Sequence, residues 1–314
     1  ISSSPGWIRE FDKAGAAPMA ELSLPMQSLS RRRLLWRRFM RNKTAVAGAL
    51  MIAMLALLAL LGPWLSPWQY HEVDRQAYLQ PPSMQHLMGT TQSGRDMLAL
   101  TLHGLRKSLI IGLVVALLST SIAAIIGAFA AYYGGWIERV ALWVIDLLLV
   151  IPAFLLIALV AGNSSGTGSW LLLVVLLTLF GWMLSARVVR SLALSVRHKE
   201  FVLAARYMGV SGPRIVIRHI LPNAASLLII DATLNVSGAI LAETSLAYFG
   251  FGVQPPDTSL GTLLGDGARQ VSSFPWLFTG PAVIIVLLIL SVNAIGDGLR
   301  DAFDPTSSAS GSAA

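Results

Sequence analysis

At 314 residues, with 55% apolar and only 12% charged side chains and a mean hydropathy of +0.67, the chain is too apolar for a string of soluble domains and is expected to sit in a bilayer. Its 23 Lys and Arg against 16 Asp and Glu leave a net charge of +7, and the lack of cysteine excludes a disulfide framework and a thiolate site.

The first thirty residues and the closing SSASGSAA have the composition of disordered tails. RRRLLWRRFMRNK at 31–43 stands directly before the first apolar run. It reads as the stop of an anchor-like span in contact with anionic headgroups, without a cleavage site of signal-peptide quality after it. Apolar runs that approach the roughly 20 residues a span needs lie near 44–61, 108–133, 140–161, 170–186, 223–246 and 276–296. The expected class is therefore an all-α membrane protein with six transmembrane helices, and an even number puts both termini on one side. Counted over alternate loops, eighteen Lys and Arg fall on the side of the termini and five on the other. That asymmetry places both termini and the 187–222 loop in the cytoplasm of a multi-pass protein of the cell (inner) membrane. The positive charge is thus a topology signal, and no nucleic-acid partner is expected.

In the first outer loop, Gly94-Arg95-Asp96 opens a segment where Met97, Leu98, Leu100, Thr101, Leu102 and Leu105 form an apolar-rich helix. It is expected along the outer surface, with Arg106 and Lys107 at the headgroups, either simply as the re-entry into the second span or as a contact for an external binding protein. Asp146 and Asp231 are carboxylates inside spans, with Glu243 nearer the outer end, and such a group costs about 2.5–3.5 kcal/mol at mid-bilayer. Asp146 lies six residues before Pro152, which is expected to kink the third span. Asp231, Asn235, Gly238 and Ala242 recur on one face of the fifth span, which should look into the protein to line a pathway or to bond a neighbouring helix. Residues 162–166 spell G-x-S-x-G, but between two apolar runs, without the strand-to-helix turn that exposes a nucleophile, they read as a flexible turn. The five histidines make no H-E-x-x-H. The spacing of Asp297, Asp301 and Asp304 is not that of a calcium loop and reads as a helix ending. No G-x-x-x-x-G-K-[ST] occurs, so nucleotide hydrolysis by that route belongs to another polypeptide.

The most informative stretch is RHKEFVLAARYMGVSGPRIVIRHILPN, at 197–223. Phe201, Ala204, Ala205 and Met208 are spaced to share one helical face, with two small residues at its centre where a larger neighbour can approach. Gly209 fits a left-handed terminator, Ser211 an N-cap and Pro213 a first turn. A second helix over 214–221 is expected to stop at Pro222. Such a basic hairpin suits either docking to a partner or anionic lipid.

This stretch resembles the cytoplasmic signature of ABC importer permeases. Leu203-Ala204-Ala205, three residues, Gly209 and His219-Ile220-Leu221-Pro222 match its Glu-Ala-Ala, Gly and Ile-x-Leu-Pro anchors, with Leu203 in place of the Glu and His219 at the first Ile. Gly89-Thr90-Thr91-Gln92-Ser93-Gly94-Arg95-Asp96, Glu243 to Gly252, and Gly296-Asp297-Gly298-Leu299-Arg300-Asp301 with Asp304-Pro305 are similar to stretches of the C-type subunit in dipeptide, oligopeptide and nickel importers. The resemblance implies a type I ABC importer permease fold whose coupling helices, at 199–222, dock on an ATPase through Phe201, Ala204, Ala205, Met208, Gly209 and Pro222. It also implies a B-type second permease, two ABC ATPase subunits or a fused one, and an extracytoplasmic binding protein. ATP and Mg would sit on the ATPases and no cofactor on this chain. Four segments follow: a basic, partly disordered cytoplasmic tail (1–43), a first span with its extracytoplasmic loop (44–107), the permease domain (108–300) and a disordered C-terminal tail (301–314). The competing reading is a proton-coupled secondary transporter that uses the carboxylates at Asp146, Asp231 and Glu243.

Overall fold

The computed structural model describes residues 31–162, 166 and 168–303. Among them the chain is helical, and its one extended pairing is an isolated bridge between Thr90 and Asp96. The tails at 1–30 and 304–314, Asp304-Pro305, and Asn163, Ser164 and Ser165 of the G-x-S-x-G lettering lie outside the described residues.

Helix α1, Arg31–Arg41, carries the basic run and breaks at Asn42. The Asn42 side chain then caps α2, Lys43–Leu65, by accepting from the Ala45 N–H at 3.1 Å. After an irregular outer loop, the Asp96 carboxylate accepts from the Ala99 N–H at 2.8 Å and starts α3, Met97–Tyr133. The Met97 segment is no separate surface helix: it is the beginning of one 37-residue helix long and apolar enough to cross a membrane. The third apolar run is split into α4, Gly135–Val150, and α5, Ala153–Ala161, bent by 69° at Pro152, whose missing N–H and ring stop a straight continuation. Helices α6, Ser169–Gly181, and α7, Met183–Val196, form a second bent pair at 42°.

Next come α8, Glu200–Tyr207, α9, Gly212–Ile215, a π turn at Val216–Ile220, and α10, Leu221–Tyr248. The expected stop at Pro222 does not occur. Gly212 to Tyr248 runs as one 37-residue helical stretch, because the wider π turn ends where Pro222 enters α10 at its first turn, a position in which a proline needs no donor of its own. Helix α11, Leu260–Ala268, and α12, Trp276–Phe303, complete the chain. Since α12 runs through Phe303, the C-terminal boundary expected at 300 falls inside a helix. Four helical stretches are long and apolar enough to cross a membrane, and up to six if each bent pair is one span.

Helix α3 is the central post. Its buried face is rich in small residues, among them Ser119, Ala123, Ala124, Gly127, Ala128 and Ala131. A methyl group on Gly127 would lie 2.5 Å from the Ala186 carbonyl of α7, so these two backbones touch as small-residue membrane helices do. Leu55, Leu105, Ile240, Leu260 and Leu288 join α2, α3, α10, α11 and α12 in one apolar cluster. Ala128, Ala131, Val189 and Ala193 meet Val202, Ala205, Ile215, Val216 and Ile220 in another, which seats α8 and α9 on the Tyr133 end of the bundle.

Candidate functional site

The hairpin 199–222 is built by its own residues. Gly209 has φ +77°, the left-handed conformation a β-carbon disfavours, and it turns the chain between α8 and α9. Val202 and Ala205 of α8 are buried against the bundle, while Phe201, Ala204, Tyr207 and Met208 are exposed, Tyr207 at 86% and Met208 at 75%. The four residues expected on one face are therefore divided: Ala205 anchors the hairpin, because Val202 beside it completes an inward apolar pair, and Phe201, Ala204 and Met208 face outward. Arg197 Nη1 donates to the Ala131 carbonyl at 2.7 Å, tying the base of the hairpin to the last turn of α3. A groove of about 380 Å³ opens between them, lined by Tyr132, Tyr133, Arg197, His198, Leu203, Arg206 and Gly212 among others.

Inside the bundle, Asp231 and Asn235 of α10 meet Thr120 of α3 and Ser185 of α7. Ser185 Oγ donates to Asp231 Oδ1 at 3.0 Å and Thr120 Oγ1 to Asp231 Oδ2 at 3.2 Å. Asn235 Nδ2 donates to Asp231 Oδ2 at 3.0 Å, with Thr120 Oγ1 at 3.1 Å and Ser185 Oγ at 3.2 Å. Asp146 lies apart from this seam and pairs with Arg187 of α7, both side chains being about half exposed. Arg187 counted as a loop cation in the sequence, and only its place inside α7 reveals the pair.

Glu243 is 1% exposed. Its Oε1 accepts from Ser259 Oγ at 2.5 Å, and its Oε2 has no hydrogen-bond partner among the described residues. Ser259 also caps α11, accepting from the Thr262 N–H at 3.1 Å, and Ser108 of α3 accepts from the Leu260 N–H at 3.1 Å. Helix α11 is thus pinned to α3 and α10 through Glu243, which the sequence singled out, and through Ser108, Ser259 and Thr262, which it did not.

The outer end holds two further polar groups. Buried His86 stacks on Trp68 at 4.9 Å between ring centroids and bridges two carboxylates, Asp96 at 2.9 Å and Asp74 at 3.5 Å. Lys107, expected at headgroups, pairs instead with Asp257 at 3.0 Å and lies 4.6 Å from the centroid of Trp170. The reason is tertiary: the loop after α10 folds back over α3 and brings a carboxylate within reach. Arg106 is exposed and lines a separate pocket with Trp64 and Trp68.

The model of a family described as "binding-protein-dependent transport system inner membrane component" matches residues 122–308, and that of the "N-terminal TM domain of oligopeptide transport permease C" matches 30–82. The chain is 52% identical to the oligopeptide transport system permease protein OppC of Mycobacterium tuberculosis over 278 residues, which cover 88% of this chain and 96% of that one. It is 38% identical to OppC of Haemophilus influenzae over 87% of this chain and 89% of that protein. A putative peptide permease protein of Brucella suis is also 38% identical, over 85% and 89%.

Proposed function

This chain belongs to the family of binding-protein-dependent transport system inner membrane components, and from that premise we propose that it is the C-type permease subunit of an ATP-driven importer of oligopeptides. It is a transport subunit of the cell membrane and performs no chemistry of its own. The two bent pairs each count as one broken span, giving six, and the Lys and Arg asymmetry puts both termini and the 199–222 hairpin in the cytoplasm.

The observation that carries the reading is that hairpin. It is anchored by Val202, Ala205 and Ile215, turned at Gly209, and among the described residues nothing covers its exposed Phe201, Ala204, Tyr207 and Met208. Exposed aromatic and methionine side chains beside Arg206 make an anchor for a groove on a partner. The partner is an ABC ATPase, present as two subunits or a fused one, which holds ATP and Mg. Because the π turn and α10 follow the hairpin without a break, movement of the docked ATPases passes directly into a span. A second, B-type permease completes the pathway, and an extracytoplasmic binding protein delivers the peptide. The transition is a switch between inward-open and outward-open states.

The test is a mild-detergent pull-down of the tagged chain with an ATPase assay on the eluate. Co-purification of a second permease and of ATPases is the expected result. A lone, ATPase-free chain that still moves peptide in liposomes under a proton gradient would overturn the proposal.

A further inference from the structure

Asp231 lies near the middle of the 37-residue stretch Gly212–Tyr248, and every donor it meets is neutral. Ser185, Thr120 and Asn235 give its carboxylate three hydrogen bonds at 3.0–3.2 Å. Such bonds satisfy the carboxylate oxygens but bring no positive charge to them. Among the described residues no Lys, Arg or His forms an ion pair with it, and Arg187, two residues beyond Ser185 on α7, is committed to Asp146. The seam therefore holds a carboxylate inside a membrane protein that no cation of the described residues answers, and a cationic group is the counterpart it lacks.

Beside it is space. Asn235, which bonds the carboxylate, also lines a cavity of about 200 Å³ with Ser119, Leu177, Gly181, Gly238 and Ala242. Ser119 is 2% exposed and its hydroxyl has no hydrogen-bond partner among the described residues. A buried hydroxyl is normally satisfied, so this one is open to a guest. Nothing lies within 4 Å of where a β-carbon of Gly238 would stand, so the floor of the cavity is open at that point. The volume is below the roughly 300 Å³ at which pockets begin to enclose a whole drug-sized molecule. It suits one end of a longer solute. A carboxylate beside the cavity fits the cationic end of such a solute better than its carboxylate end.

Building on the oligopeptide reading, we infer that the Asp231 seam and this cavity form a transient subsite for the N-terminal ammonium group of the transported peptide. Asp231 supplies the carboxylate, Ser119 and Asn235 supply hydrogen bonds to the first peptide unit, and Gly238 gives the backbone room. The subsite gives the pathway a preference for a free amino terminus, over and above whatever the binding protein selects.

The experiment uses the complete complex with its binding protein in liposomes, and compares ATP-dependent uptake of tri-alanine with that of N-acetyl-tri-alanine. The binding protein is the same for every variant, so a change in the uptake ratio belongs to the membrane subunit. Asp231→Asn lowers the ratio of free-amine to acetylated uptake by about tenfold, the size of one charge-assisted hydrogen bond, and Asp231→Glu restores most of it. Gly238→Leu, whose side chain enters open space, assembles normally and lowers tri-alanine uptake by a similar factor of about ten. A ratio in Asp231→Asn equal to that of wild type overturns the subsite, as does wild-type tri-alanine uptake by Gly238→Leu. If Asp231→Asn does not assemble, Gly238→Leu decides alone. A Gly238→Leu chain that cannot assemble with the second permease assigns the cavity to helix packing, and the subsite falls. Absence of ATP-dependent uptake of either probe by the wild-type complex is a different failure: it removes the importer reading and the subsite with it.

Discussion

Gly209 separates two roles that most residues combine. Its left-handed φ of +77° is also tolerated by Asp, and a β-carbon there would meet nothing within 4 Å. Gly209→Asp is therefore expected to fold, at a backbone cost of about 1–2 kcal/mol for the left-handed conformation, while placing an unpaired carboxylate on the docking face. A buried unpaired charge at an interface costs roughly 2–5 kcal/mol. Peptide-stimulated ATPase activity and ATPase co-purification should both collapse, and retention of both would remove the hairpin from the docking surface. Gly261 is the opposite case: a methyl group there would lie 2.7 Å from Glu243 Oε2 and 2.8 Å from Thr244 Cα, with backbone in the way. Gly261→Ala should lower stability by about 1–3 kcal/mol, the usual cost of overpacking, readable as a lower melting temperature of the purified complex. An unchanged melt would mean that α11 is free to move off α10.

Among the elements, α4 and α7 are joined by the Asp146–Arg187 pair, and with both side chains about half exposed the pair is a surface feature of this chain taken alone. In hydrocarbon, one charge left without its partner costs about 2.5–3.5 kcal/mol on insertion scales. Arg187→Asp and Asp146→Arg should each reduce the amount of folded protein in the membrane, and the double exchange should restore it. Additive losses in the double variant would show the two charges to be independent. The element boundaries were legible to different degrees. Pro152 announces its break because a proline in mid-span has few alternatives. Pro222 misleads, since the same residue is harmless at the first turn of α10 behind a π turn, and nothing in a linear pattern distinguishes the two situations.

For the whole molecule, the lack of cysteine makes topology directly measurable. Single thiols at Ser273→Cys, in the exposed turn before α12, and at Tyr207→Cys, on the hairpin, should react differently with a membrane-impermeant reagent in intact cells. Position 273 should label at once and 207 only after lysis, and the reverse pattern would invert the orientation. The sequence by itself determined the membrane class, the approximate spans, the charge asymmetry and the hairpin with its glycine turn. Those properties are carried by composition and by local periodicity, which act within a few residues. Only the tertiary structure decided which charges are answered. Lys107 finds Asp257, Arg187 finds Asp146, Ser259 finds Glu243 and His86 finds two carboxylates, while Asp231 receives neutral donors from helices 46 and 111 residues away in the chain. Such partners are set by how helices cross in space, and the burial that makes an unanswered charge costly exists only once they have packed.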